Sequence, residues 1–344
     1  MRLKFKKNAI IFILILSFVV YLTIPVGADY IDIDGQIYEF EKTASPNSIN
    51  TFTETVVTKN PDGSITERTY ELSAMAMENT GLLSSYQPNI NENIASASTD
   101  EYGRYRIYPA DARIGYLKVV YDSDNDGLAD LETAKYGTAS LIGHDLLLSC
   151  AHVVWKAAYK DYISEGWATT IEFHSGRSGS VFESIDAFSP SISMNYINNT
   201  DIYITENGEI ASSIDMNYDW ALIRIGQDLG SQVGWFGVQQ CNGTETGLSV
   251  KTIGYPSDKT GVNQWVSPGV ITDFIQTNIM RYSAYTVGGN SGGSVFYGEN
   301  IIGIHSGSFG NSTQGYICGG ATRMYPSLFS IIAAEKTASE ERWE

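Results

Sequence analysis

Short alternating segments separated by turn-forming residues dominate the sequence from about residue 102 to residue 305. Alternation of apolar and polar side chains with a period of two is typical of β-strands that bury one face. The candidate strands are residues 102–108, 114–121, 136–142, 145–149, 170–174, 180–188, 220–225, 248–254, 264–271, 279–285, 294–296 and 301–305. Such a series predicts an all-β barrel or sandwich, closed by one helix over residues 325–335.

The first 28 residues have the pattern of an export signal. Four basic residues within the first seven precede an almost entirely apolar run over residues 9–24. Small residues then end at Ala28, after which we predict cleavage and therefore a secreted protein. An uncleaved membrane anchor is the alternative, since the run approaches the length of a short spanning helix.

Residues 29–97 are polar, weakly periodic and poor in large apolar side chains. Segments 51–58 and 65–72 predict a hairpin around residues 60–63, whose Asn-Pro-Asp-Gly sequence is a strong turn signal. We interpret the region as a propeptide that acts as an intramolecular chaperone or inhibitor. A small accessory domain that stays attached is the alternative. Residues 98–344 then form the main domain.

Charge and cysteine content narrow the possible functions. The formal net charge of −17 makes nucleic acid an improbable partner. The three cysteines are compatible with one disulfide and one free thiol, or with no disulfide, and they show no zinc-binding spacing. Structural cysteines are the favoured interpretation, and no cofactor for catalysis is expected.

An acidic loop between two predicted strands has the start of a calcium-binding pattern, in which alternate residues supply oxygen ligands around a glycine bend. The twelfth position, where a bidentate glutamate is expected, is Thr133, and the glutamate comes one residue early. A structural Ca²⁺ is therefore one interpretation and a solvated acidic turn is the other. The candidate ligands are Asp122, Asp124, Asp126, Leu128, Asp130 and Glu132.

Three stretches carry residues suited to acyl transfer. His152 follows the apolar segment 147–148, Asp219 directly precedes the apolar segment 220–223, and Ser291 lies between two pairs of glycines. A glycine-flanked serine can be exposed in a tight loop whose backbone N–H groups converge on one point. The order His, Asp, Ser is that of the chymotrypsin triad.

These stretches resemble the chymotrypsin-like serine endopeptidases, and most closely the bacterial glutamyl endopeptidases of that clan. The resemblance covers roughly residues 102–329 and includes the segments 217–222, 234–237, 254–260, 264–265, 286–292 and 302–305. It implies two six-stranded antiparallel β-barrels with a C-terminal helix, and a serine endopeptidase. A non-catalytic binding protein of the same fold and a protease of different specificity remain the alternatives.

The resemblance also implies roles for single residues. Ser291 would attack the scissile carbonyl, His152 would transfer the proton, and Asp219 would orient the imidazole. The N–H groups of Gly289 and Ser291 would form the oxyanion hole. Ser306 is expected near Asp219.

Thr286, His305 and Ser308 are expected to bind a substrate carboxylate, so the enzyme would prefer protein or peptide substrates with Glu before the scissile bond, and Asp less. Asn290 occupies the position where trypsin-type enzymes place an aspartate that pairs with the new N-terminus. We hypothesise instead that an amine generated between residues 92 and 100 completes the acidic-substrate site. The enzyme is expected to be a monomer whose own propeptide is its other partner.

Overall fold

A computed structural model of the protein describes residues 30–33, 36–39, 51–73, 82–87, 98–204, 210–311 and 315–343. The predicted export signal lies outside the described residues. The strands are Tyr30–Ile33 (β1), Gln36–Glu39 (β2), Thr51–Lys59 (β3), Ile65–Ser73 (β4), Leu82–Leu83 (β5), Tyr105–Arg106 (β6), Ile114–Tyr121 (β7), Asp130–Leu141 (β8), Leu146–Ser149 (β9), Thr170–Ser178 (β10), Val181–Ser193 (β11), Ile202–Ile204 (β12), Ile210–Ser212 (β13), Ala221–Ile225 (β14), Gly237–Gln239 (β15), Ser249–Gly254 (β16), Trp265–Ile275 (β17), Ile279–Tyr282 (β18), Ser294–Tyr297 (β19), Asn300–Asn311 (β20) and Gly315–Arg323 (β21). The helices are Ala151–Val154 (α1), Met194–Asn199 (α2), Gly230–Val233 (α3) and Pro326–Trp343 (α4), with a 3₁₀ turn at Ala157–Tyr159.

Six strands close the first barrel in the order β7-β8-β9-β14-β11-β10, and β10 pairs back to β7. Strand β7 is buried along nearly its whole length, with only Lys118 partly exposed. Leu117 of β7 and Phe173 of β10 are fully buried in this core. The predicted strands 114–121 and 170–174 are thus confirmed as parts of this barrel.

The second barrel closes in the order β16-β17-β18-β21-β20-β19, and β19 pairs back to β16. The predicted fold of two six-stranded antiparallel barrels with a C-terminal helix is thus confirmed. Strand β21 was absent from the strands predicted from sequence, because its two central glycines, Gly319 and Gly320, interrupt the apolar pattern.

The C-terminal helix is longer than the predicted 325–335. The apolar side chains that anchor it end near residue 334, but polar contacts hold the last two turns. Arg342 pairs with Asp145 at 2.8 Å, and the same carboxylate accepts a hydrogen bond from Ser339 at 2.5 Å. Burial lowers the pKa of Lys336 to about 8. Among the described residues, no helix is long and apolar enough to cross a membrane.

The N-terminal region contacts both barrels. The predicted hairpin is confirmed as β3–β4, and β3 adds to the first barrel beside β11. Val56 and Val57 are buried in the common core. The separate β1–β2 hairpin adds to the second barrel, where Asp32 lies opposite Ser308 of β20.

The three cysteines are buried free thiols, so the disulfide considered from the sequence is absent. Burial raises the pKa of Cys241 and of Cys318 to about 12. Both thiols are therefore protonated near neutral pH, which fits the structural interpretation.

Candidate active site

His152 and Asp219 come together because the strands beside them are paired. His152 lies in α1, just after β9, and Asp219 lies just before β14. The antiparallel register sets Ala221 opposite Ser149, so the end of β9 and the start of β14 are neighbours. His152 Nδ1 is 2.7 Å from Asp219 Oδ2, and the His152 backbone N–H donates to Oδ1 at 2.9 Å.

Asp219 is completely buried and is satisfied by hydrogen bonds from both barrels. The hydroxyl of Ser306 in β20 donates to the Asp219 carboxylate. Thr322 in β21 donates to the backbone carbonyl of Asp219 at 3.2 Å. A buried carboxylate is costly unless donors compensate it, so the hydrogen bonds from His152 and Ser306 stabilise its charge, while Thr322 holds the backbone that carries it.

The loop that carries Ser291 requires glycine on both sides. Gly289 and Gly292 have φ values of +86° and +80°. A Cβ at Gly289 would lie 2.3 Å from the Tyr255 carbonyl oxygen, and one at Gly292 would lie 2.2 Å from Ser149 Oγ. Side chains are therefore excluded at both positions by backbone conformation and by space.

The Ser291 loop is anchored between the barrels. The Ser291 carbonyl accepts a hydrogen bond from the Thr138 N–H at 2.8 Å, and the Gly292 N–H donates to the His305 carbonyl at 2.8 Å. A Cβ on Gly292 would lie 3.1 Å from the Cys150 backbone nitrogen. The loop thus packs against the segment that carries His152.

Thr286, Ser308 and His305 form a buried polar group beside this loop. Thr286 Oγ1 lies 2.9 Å from Ser308 Oγ and 3.5 Å from the Tyr316 hydroxyl, and His305 Nδ1 lies 2.6 Å from the Tyr282 hydroxyl. Burial raises the pKa values of both tyrosines, which stay protonated and neutral. Sequence reasoning missed these two tyrosines because their contacts depend on how β18, β20 and β21 align.

The chain that follows the predicted propeptide is held beside the same group. Tyr102 stacks on Tyr285, with ring centroids 3.8 Å apart. Arg104 is fully buried, lies 4.9 Å from the Tyr285 ring centre and pairs with Asp258 at 2.6 Å and Asp100 at 2.8 Å. These contacts fix the backbone at residues 100–104 next to Thr286.

The acidic loop brings three of its predicted ligands together. Oxygen atoms of Asp122, Asp124 and Asp130 lie within 4.8 Å of one another. Asp126 and Glu132 lie outside this group of carboxylates, and the role of the Leu128 backbone carbonyl stays a prediction. Asp122 accepts hydrogen bonds from the backbone N–H groups of residues 125, 126 and 127, so the turn is also stabilised by its own backbone.

Comparison with known proteins agrees with this geometry. A family model of the trypsin-like peptidase domain matches residues 137–304. This part of the chain is therefore similar to a trypsin-like peptidase domain. A solved structure of a Glu endopeptidase in complex with MPD shares the fold of the chain, with a TM-score of 0.53 and 22% identity, covering 70% of this chain and 99% of that one.

Curated relatives match parts of the chain. An "Extracellular metalloprotease" of Bacillus subtilis is 27% identical over 58% of this chain and 58% of its own length. A "Glutamyl endopeptidase" of Bacillus licheniformis is 38% identical over 23% of this chain and 25% of its own. A "Glutamyl endopeptidase" of Staphylococcus aureus is 39% identical over 22% of this chain and 23% of its own length. The chain thus spans about a quarter to three fifths of the length of these relatives.

The name of the Bacillus subtilis relative raises the question of a metal at this site. Ligand atoms of Cys150, His152 and Asp219 lie within 4.8 Å of one another. However, both oxygens of Asp219 already accept hydrogen bonds, from His152 and from Ser306. These contacts direct His152 Nδ1 towards the carboxylate rather than towards a metal, so the residues fit an oriented histidine better than a metal centre.

Proposed function

We propose that the protein is a serine endopeptidase that cleaves after glutamate through His152, Asp219 and Ser291. The observation that carries this proposal is the buried His152–Asp219 pair, packed against a glycine-restricted serine loop inside a trypsin-like peptidase domain. A histidine oriented by a carboxylate is the base that such a serine needs.

The proposed reaction has two halves. His152 takes the proton from Ser291 Oγ as the oxygen attacks the scissile carbonyl, and the N–H groups of Gly289 and Ser291 stabilise the oxyanion. His152 then returns that proton to the leaving amine, and an acyl-enzyme remains. Water, deprotonated by His152, releases the acyl group as a carboxylic acid and regenerates the serine. Asp219 stabilises the imidazolium throughout.

The preference for glutamate rests on the polar group beside the loop. Hydroxyls of Thr286 and Ser308 can donate to a substrate carboxylate, and His305 would add charge assistance when protonated. The relatives named glutamyl endopeptidase support this assignment. Aspartate, one methylene shorter, is expected to be cleaved more slowly.

Labelling with a fluorophosphonate, which modifies activated serines, tests the proposed nucleophile. We expect one label, on the peptide that contains Ser291, together with loss of peptidase activity. Ser291→Ala should abolish both labelling and turnover. Inactivation by 1,10-phenanthroline, which removes transition metals but not calcium, would contradict the proposal, as would a label elsewhere. Absence of labelling and turnover in the processed protein would favour the binding-protein alternative.

We also propose that residues 29–97 are a propeptide. At His305, strand β20 is hydrogen-bonded to the Ser291 loop. Three residues further along the same strand, at Ser308, β20 pairs with β1. An extended substrate entering from this side would need the same edge of β20. β1 would therefore compete with substrate, and the β3–β4 hairpin would support folding of the first barrel.

Two measurements test the propeptide. N-terminal sequencing of the active protein should give a start between residues 92 and 100, and a start before residue 80 would contradict the proposal. A synthetic peptide of residues 30–39 should inhibit the processed enzyme competitively, whereas a scrambled peptide should not. Export follows from the predicted signal and agrees with the name of the extracellular relative. The proposed enzyme acts as a monomer.

A structural Ca²⁺ at Asp122, Asp124 and Asp130 is a further part of the proposal. Desolvation raises the pKa of Asp124, and the neighbouring carboxylates of Asp126, Asp130 and Asp122 add smaller effects in the same direction. A cation would relieve this repulsion between carboxylates. Terbium luminescence should report binding in the intact protein. Asp124→Asn should abolish it and Glu132→Gln should not. No luminescence with the unmodified protein would favour the solvated acidic turn.

A further inference from the structure

We propose that the cleft on the leaving-group side of Ser291 is a subsite for a substrate carboxylate, with Lys135 as its main determinant. This inference rests on the proposed peptidase function and names the substrate class for residues after the scissile bond.

The position of the cleft follows from its lining. The cleft has a volume of about 470 Å³ and is bordered by His152, Gly288 and Gly289. Thr286, His305 and Ser308 are not among its lining residues in the described part of the chain. The cleft therefore borders the reacting centre without sharing the proposed glutamate pocket. His152 hands its proton to the leaving amine, so this side receives the departing chain.

Strand β8 leads from the nucleophile into the cleft. Thr138 N–H donates to the Ser291 carbonyl, and a Cβ on Gly137 would lie 2.9 Å from that same oxygen. Lys135 and Tyr136, the two preceding residues, line the cleft. Because a strand advances about 3.3 Å per residue, Lys135 is within reach of the second substrate residue after the scissile bond.

The charge of the cleft is opposite to that of the protein. The chain has 39 acidic and 22 basic residues, yet the cleft is lined by three lysines and by no Asp or Glu of the described chain. Surface charges act over about 8–10 Å at physiological ionic strength. Within that distance the lysines would attract a carboxylate, although the whole protein repels acidic substrates.

The ammonium groups of the three lysines differ in the partners that they contact. Lys259 pairs with Asp100 at 2.6 Å, which offsets its charge. The Lys156 ammonium lies 5.2 Å from the centre of the Tyr121 ring. Lys135 is exposed and belongs to none of the ion pairs found among the described residues. Its ammonium is therefore the one best placed to meet an incoming carboxylate.

Aromatic rings supply the rest of the subsite. Tyr136 is 43% exposed and stacks on Tyr116, with ring centroids 5.1 Å apart. The methylene stem of an Asp or Glu side chain can pack on these rings while its carboxylate reaches Lys135. A free C-terminal carboxylate has the same chemistry and is the other possible source.

Peptides with Glu before the scissile bond test the subsite. Three C-terminally amidated peptides carry Ala, Asp or Lys as the second residue after the bond, and a fourth ends there with a free carboxylate. The unmodified enzyme should show a kcat/KM about two- to fivefold higher for Asp than for Ala, the range of an exposed ion pair. Lys135→Gln should bring this ratio to about one, and Lys135→Glu should favour Lys. Lys251→Gln, a lysine outside the cleft, should leave all values unchanged.

The outcomes separate the two proposals. A preference for Asp or for the free carboxylate over Ala that Lys135→Gln leaves unchanged would overturn the subsite, as would the absence of any such preference in the unmodified enzyme or an equal loss for all peptides. A higher kcat/KM only for the peptide with the free carboxylate, lost in Lys135→Gln, would show that the subsite binds the C-terminal carboxylate of a substrate rather than an acidic side chain. If the Ala peptide is not cleaved by unmodified enzyme, the proposed function itself fails and the subsite fails with it.

Discussion

Ser306, in a strand of the second barrel, donates a hydrogen bond to the buried carboxylate of Asp219, which lies at the start of a strand in the first. The two barrels are thus coupled at the group that orients His152. Removing a hydrogen bond to a charged group costs about 1.5–3 kcal/mol. Part of that loss should appear in the transition state, where the imidazolium depends on Asp219.

Ser306→Ala is therefore expected to lower kcat about tenfold or more with little change in KM. Steady-state kinetics measure both values, and Ser306→Thr should restore part of kcat by restoring the hydroxyl. Ser330→Ala, which removes a hydroxyl bonded only within α4, is the control. A normal kcat in Ser306→Ala, accompanied only by a lower Tm, would show that the contact is merely structural.

Gly289→Ala should inactivate the enzyme. The substitution places a Cβ 2.3 Å from the Tyr255 carbonyl at a φ of +86°, so the loop must shift and displace its N–H. Loss of one oxyanion donor costs about 10²–10³ in kcat. Gly298→Ala has a comparable φ of +60° but nothing within 4 Å, and it should keep full activity. Equal kcat values for the two variants would contradict the assigned oxyanion hole.

Glu54 makes the stability of the uncleaved chain depend on pH. Burial raises the pKa of its carboxyl, although hydrogen bonds from Ser327 and Tyr325 partly oppose this. The folded chain thus binds the proton more tightly than the unfolded chain. The stabilisation is fully present below the unfolded pKa, near 4.5, and is lost as pH rises through the folded pKa.

Thermal unfolding of the Ser291→Ala chain between pH 4 and 8 checks this dependence. Adding Glu54→Gln should remove one component of the fall in Tm with rising pH. Glu67→Gln, at an exposed position of β4, should not. Identical pH profiles for the Glu54→Gln and parent proteins would show that the Glu54 proton is not linked to folding.

Most barrel strands and the three candidate catalytic residues were accessible from sequence, because apolar alternation and glycine pairs are local signals, whereas β21 was missed because its central glycines interrupt the pattern. His152, Asp219 and Ser291 each sit next to a recognisable apolar strand or glycine turn. The tyrosines at 282 and 316 were not accessible, because their roles arise from strand register. The end of α4 beyond residue 335 was not predicted, because polar contacts rather than apolar periodicity hold its last turns. The pairing of β1 with β20 was not predicted either, because it is formed by backbone hydrogen bonds and the sequence there is only weakly periodic.

Cleavage of peptides that differ only in Glu or Gln before the scissile bond tests the central claim most directly. The processed enzyme, beside Ser291→Ala as the inactive control, is assayed for kcat/KM on each peptide. Because the proposed pocket recognises a carboxylate through Thr286, His305 and Ser308, we predict at least a tenfold preference for Glu. Equal turnover of the two peptides would contradict the account.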